Sequence, residues 1–120
     1  MDKKEKVTLK KIADHADTIV SSIKDIKNAK EYTENRLVSD AVAFNLLQIG
    51  ELAHDGLTEE TKKNLNAIPW TQIYGLRNRI VHGYAGVDYN IIYQTITEDV
   101  PELSLEIKKC LQQDSIETKA

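Results

Sequence analysis

Leu9-Lys10-Lys11-Ile12-Ala13-Asp14-His15-Ala16-Asp17-Thr18-Ile19 is the stretch that decides the fold. Leu9, Ile12, Ala16 and Ile19 recur at alternating intervals of three and four, and the rhythm continues to Ile23 and Ile26. That spacing places the apolar side chains on one stripe of a long helix and leaves the charged ones for solvent. Thr8 stands where it could cap the start of this helix, and Asn28 lies near its end.

Reading outward, a second helix is predicted from about Glu34 to His54, with a stripe of Val38, Val42, Asn45, Ile49 and Leu52. Leu37, Ala41, Phe44, Leu46 and Ala53 widen it, so burial against more than one neighbour is expected. Gly50 costs about 1 kcal/mol relative to alanine in a helix interior. Close approach by another helix would compensate. Asp55-Gly56 should end the helix. Thr58-Glu59-Glu60-Thr61 reads as a cap with an acidic first turn, predicting a short helix from Glu59 to Asn66. Ile68-Pro69-Trp70 opens the next long element, because proline is tolerated in a first turn. Trp70, Ile73, Leu76 or Arg77, Ile80 and Tyr84 share its face, and Gly83 is placed to stop it. The last helix carries Ile92, Ile96, Val100, Leu103, Ile107 and Cys110 or Leu111, and Pro101 should kink or split it. The polar tail from about Gln113 should fray. No alternating strand pattern or repeat interrupts this reading. The expectation is one all-α domain over residues 1–120, an antiparallel bundle of four main helices plus one short helix.

A hydrophobic share of 41% and a charged share of 29% suit a soluble globular chain. The net charge of −3 and pI near 5.6 argue against a broad basic surface, so any RNA binding would need a local positive cleft. Cys110 is the single cysteine, which excludes an intrachain disulfide and a cysteine-based zinc site. No metal or cofactor is expected. The amino end is charged and leads into an amphipathic segment, so neither a signal peptide nor a membrane span is expected, and the cytoplasm is the expected compartment.

Chemistry concentrates in Arg77-Asn78-Arg79-Ile80-Val81-His82-Gly83-Tyr84. Asn78 and His82 are one helical turn apart, and Arg77 and Tyr84 align if the helix continues. His82 falls at the negative end of the helix dipole, which attracts positive charge. An imidazole trades protons near neutral pH, and a guanidinium offers a donor fork suited to phosphate. Asn78 could hydrogen-bond the imidazole or a ribose hydroxyl. Such a set could cleave RNA without metal. The 2′-hydroxyl would attack, His82 would move protons, and Arg77 would stabilise charge on phosphorus. One histidine supplies either a base or an acid, so a symmetric dimer, a water or the Tyr84 hydroxyl must fill the second role. Read from spacing alone, arginines paired with acids elsewhere and a structural histidine are the favoured account of the run.

The run resembles the Arg-x4-His-x-Tyr motif of HEPN-domain proteins, in particular the HepT-like toxins. Asp40-Ala41-Val42 to Ile49-Gly50-Glu51 resembles that family's second helix, and Ile68-Pro69-Trp70 with Gly75-Leu76-Arg77-Asn78-Arg79 resembles the approach to the histidine. Gly86-Val87-Asp88 and Asp99-Val100-Pro101-Glu102-Leu103 resemble the family's segments on the C-terminal side of the histidine. The resemblance spans roughly Leu37 to the end of the last helix. It implies a HEPN-like bundle, a homodimer whose two motifs line a shared cleft, and a metal-independent endoribonuclease with Arg77 and His82 as the essential pair. It also implies a toxin–antitoxin pairing with an MNT-type nucleotidyltransferase that neutralises the toxin by adenylylating Tyr84. An adenylate beside His82 would put bulk and negative charge where the RNA phosphate must sit.

Other residues carry two readings each. Glu51 either orients Arg77 or His82 or is a solvated helix charge. Arg79 adds phosphate affinity or forms a surface salt bridge. Asn45 reads as a satisfied core amide, His15 and His54 as helix-surface or helix-end residues. Trp70, Tyr74, Tyr89 and Tyr93 read as core or interface, and Lys62-Lys63 as a solvated face. The alternative to the nuclease is a non-catalytic nucleotide-binding or scaffold partner of a nucleotidyltransferase. A structural dimer with no nucleotide role is a third reading.

Overall fold

The structure, a computed structural model, describes residues 1–83 and 86–119, and for residues 116–119 the backbone alone. Its regular elements are all helical among those residues, as the apolar periodicity predicts. Helix α1 covers Lys3–Ser22 and is capped by Asp2, whose carboxylate accepts from the Lys4 amide at 2.9 Å. Thr8 is therefore not the cap. It lies inside the helix, donates to the Lys4 carbonyl at 3.0 Å, and leaves its methyl where a β-carbon on Gly56 would come within 2.7 Å. The predicted stripe also outruns the helix, for Ile23 is the C-cap and Ile26 lies beyond it, both still packed on the core.

Asn28 begins an element rather than ending one. Its side chain accepts from Glu31 N at 2.9 Å and caps α2, Ala29–Glu34, a helix too short to show periodicity. Tyr32 on α2 is fully buried, and burial pushes its phenol well above its ordinary range. Its ring meets Tyr89 edge-on at 6.2 Å and Tyr93 at 5.7 Å, so those two tyrosines belong to the core packing.

Asn35 caps α3, Arg36–Gly56, and α3 buries Val42, Leu46, Ile49 and Ala53. The wide apolar stripe is only partly used. Leu37 and Phe44 are 87% and 58% exposed, and Ala41 is exposed as well. The helix still packs on two main neighbours, α1 and α5. Thr58 caps α4, Glu59–Asn64, by accepting from Thr61 N at 3.2 Å. The Glu5 carboxylate reaches over from α1 to accept from Thr58 N at 2.7 Å and from its hydroxyl at 3.0 Å.

Helix α5, Trp70–Gly83, starts directly after Pro69, and the Trp70 indole donates to the Leu65 carbonyl at 3.2 Å. Leu76 and Ile80 are its buried residues, and α3 is the helix it packs against. Asp88 caps α6, Tyr89–Gln94, which passes through a π-helical turn, Thr95–Asp99, into α7, Val100–Lys119. The split predicted at Pro101 thus falls one turn earlier. Proline sits in the first turn of α7, directly after a wider π-turn that absorbs the change of register. Thr95 and Thr97 hydroxyls donate to the Ile91 and Tyr93 carbonyls at 2.9 and 2.8 Å beside that turn. The backbone remains helical past Gln113, against the expected fraying. Asp114 faces Lys6 of α1 at 2.5 Å, and the hydrogen bond from that ammonium holds its carboxyl below the usual range. Higher up, Asp17 of α1 accepts from Ser104 and Lys108 of α7 at 2.6 and 2.8 Å. Helix α1 is therefore the shared core element, sandwiched between α3 and α7. No helix among the described residues is long and apolar enough to cross a membrane.

Candidate functional site

The site grows from the contact between α3 and α5. Gly50 on α3 has no side chain, and a β-carbon there would lie 2.5 Å from Arg77 Cβ and 2.7 Å from Arg77 Cγ. The stem of Arg77 occupies that space, which is the close approach the glycine foretold. One residue on, Glu51 accepts a charge-assisted hydrogen bond from Arg77 Nε. Arg77 Nη1 donates to Asn78 Oδ1 at 2.8 Å. The guanidinium carbon stands 5.7 Å from the centroid of the Tyr74 ring, and Tyr74 stacks on His54 at 4.5 Å with 14° between the planes. The Arg77 side chain retains 20% of its exposure. A guanidinium has five N–H donors, and those beyond the two engaged have no partner among the described residues.

His82 lies one turn beyond Asn78, exposed in the last turn of α5. With Asn78 and Arg79 it forms one wall of a cleft of about 570 Å³ whose other wall includes Asp88 and Ile91 at the start of α6. Arg77 does not line this cleft; it faces α3 instead. Arg77 and His82 are five positions apart, which turns their side chains toward different faces of the helix. Asn78 is the link, since it binds the guanidinium and borders the histidine's cleft. Among the described residues Asn78 makes no bond to His82. Arg79 is exposed, has no ion pair among the described residues, and borders both this cleft and an apolar groove of about 630 Å³ between α5 and the π-turn. Tyr84 lies outside the described residues.

Several sequence readings are resolved by contacts. Asn45 is 7% exposed and satisfied, with Nδ2 donating to the Ala41 carbonyl at 2.7 Å and Oδ1 2.8 Å from His15 Nδ1. His15 accordingly turns inward toward α3, not out to the helix surface as expected. Its Nδ1 carries the proton, since an amide oxygen only accepts. Lys63 is exposed as expected, but the Lys62 side chain, paired with Glu59 at 3.6 Å, keeps only 18% of its exposure and is not on a solvated face. Tyr74 and His54 stand next to Arg77, an association the sequence reading missed. The available signals were the three-residue step from Tyr74 to Arg77 and the four-residue step from Gly50 to His54. No group of three or more His, Cys, Asp or Glu side chains among the described residues is arranged to hold a metal ion.

The chain matches the family described as Ribonuclease HepT-like across residues 8–110. It is 30% identical to a provisionally named RNase of Caldanaerobacter subterraneus subsp. tengcongensis, over 88% of this chain and 93% of the relative. It is 31% identical to another provisionally named RNase, from Methanocaldococcus jannaschii, over 86% and 93% of the two chains. A protein provisionally named ribonuclease HepT from Thermococcus cleftensis is 28% identical over 79% and 94%. No solved structure gives a significant match.

Proposed function

From the premise that the chain belongs to the HepT-like ribonuclease family, we propose that it is a metal-independent endoribonuclease toxin that uses Arg77 and His82. The supporting observation is the held guanidinium. Gly50 and Glu51 fix one side of Arg77 and Asn78 fixes another, which leaves donors in place for a phosphate and joins them to the cleft of His82. In the proposed reaction the ribose 2′-oxygen bonds to phosphorus and loses its proton to a base. The bond from phosphorus to the 5′-oxygen breaks, and that oxygen takes up a proton. His82 handles one of these transfers, Arg77 offsets the charge on phosphorus, and Asn78, Glu51 and Arg79 support them. A second transfer calls for a second copy, and a homodimer with a composite cleft provides it. The partner in this reading is a cytoplasmic MNT-type nucleotidyltransferase antitoxin that adenylylates Tyr84 and blocks the phosphate position.

One observation favours the non-catalytic reading. Glu51 neutralises Arg77, and the net charge is −3, so the site lacks a strong positive field of its own. The two readings separate on incubating purified chain with tRNA and mRNA in EDTA, beside His82→Ala and Arg77→Ala. Cleavage by the wild type alone is expected. Wild-type cleavage by His82→Ala would overturn the mechanism. Cleavage by none of them, with Tyr84 unmodified by mass spectrometry, would favour a nucleotide-binding or scaffold partner of the nucleotidyltransferase.

A further inference from the structure

We infer that Tyr74, braced by His54, is a positioning residue that sets the orientation of the Arg77 guanidinium. The proposal rests on the nuclease reading for its kinetic arm and on geometry alone for its spectroscopic one. Three residues within one turn of α3, Gly50, Glu51 and His54, meet two residues within one turn of α5, Tyr74 and Arg77. Each contact constrains a different part of the arginine. The missing β-carbon of Gly50 seats the aliphatic stem. Glu51 holds Nε and Asn78 holds Nη1. These leave the tilt of the guanidinium to be set by what lies against it. The Tyr74 ring, 5.7 Å from the guanidinium carbon, attracts the cation through its negative face.

His54 fixes the ring in turn. The two rings stack at 4.5 Å and 14°, and the imidazole is itself tethered through Nδ1 to Asp55 Oδ1 at 2.8 Å. Tyr74 is half-buried and His54 is exposed, so the pair is a brace at the surface rather than part of the core. Without the ring, the guanidinium is free to tilt about its bonds to Glu51 and Asn78. That would leave RNA binding through the rest of the cleft intact while misaligning the donors aimed at phosphorus. Turnover should suffer, and substrate affinity should not.

The experiment compares wild type with Tyr74→Leu, Tyr74→Phe and His54→Leu, after thermal melts confirm that each is folded. Two readouts are taken: kcat and KM for RNA cleavage in EDTA, and the solvent exchange of the Arg77 Nε–H by NMR. Tyr74→Leu should lower kcat about two- to fivefold with KM unchanged, the scale of one cation–π contact at the surface. It should also speed the solvent exchange of the Arg77 Nε–H, a change that loss of the ring current alone does not produce. Tyr74→Phe keeps the ring and should rescue both readouts, and His54→Leu should give an intermediate effect. A Tyr74→Leu protein that matches wild type in kcat, or leaves the Arg77 Nε–H exchange rate unchanged, overturns the positioning role. If wild type itself cleaves nothing, the nuclease reading fails, and the Arg77 Nε–H exchange rate still decides for or against the brace.

Discussion

Gly50 shows what one missing β-carbon does for a site. An alanine there gains about 1 kcal/mol of helix propensity. Its methyl, however, would stand 2.5 Å from Arg77 Cβ, an atom tied to the α5 backbone and unable to swing aside. The two helices must then separate, and overpacking of this kind costs about 1–3 kcal/mol. Gly50→Ala should therefore be net destabilising by about 1 kcal/mol in urea unfolding, despite the better helix former. It should also impair Arg77-dependent function more than its stability loss explains. A stabilised Gly50→Ala protein would show that the helices have slack here. Part of this was legible in the sequence. A glycine inside a strong helical pattern signals close approach, and periodicity shows which face it is on. Periodicity does not say which residue of which helix comes to fill the space, so the seat of Arg77 emerged only from the packing of α3 on α5. The same limit hid His15, whose polar side chain reads as surface until Asn45 is seen opposite it.

At the scale of elements, long helices were legible and short ones were not. α1, α3, α5 and α7 each carry enough turns for an apolar stripe to repeat. α2 has six residues, and only its cap, Asn28, and its one buried side chain, Tyr32, betray it. The π-turn before Pro101 follows from how the chain absorbs a proline near a helix start, a choice that stripe analysis does not resolve. Tertiary caps are equally silent in sequence. Glu5 lies 53 positions from Thr58, yet its buried carboxylate bonds the residue that caps α4. The Thr58 backbone N–H, with help from the Thr61 and Thr58 hydroxyls, holds the Glu5 carboxyl below its ordinary value against the opposing effect of burial. A carboxyl lowered in the folded state adds stability above its unfolded pKa and loses it as the pH falls through the folded one. Glu5→Ala should therefore cost about 1–3 kcal/mol at neutral pH. The difference from wild type should shrink as the pH falls below about 4. Urea titrations of both proteins across that range test it, and a gap that stays constant with pH would mean the carboxylate charge is not what binds α1 to α4.

At the scale of the whole molecule, the bundle leaves an apolar stripe uncovered, and its course bears on the proposed chemistry. Leu37 and Phe44 stand seven residues apart on the outward face of α3, with exposed Ala41 between them. Seven residues further along the same face is Glu51, paired with Arg77. A second copy lying along this stripe would cover the apolar residues and stand beside the Glu51–Arg77 pair at the end of it. The expected state is a dimer at micromolar concentration by light scattering. Phe44→Lys, which puts a charge into the middle of the stripe, should shift the protein toward monomer with an unchanged circular dichroism spectrum. If the cleft is composite, RNA cleavage should fall with the dimer fraction and recover as protein concentration rises. A wild-type monomer would remove the second imidazole from the mechanism. A monomeric Phe44→Lys protein that cleaves at the wild-type rate would place both proton transfers within one chain, with water or Tyr84 as the second group.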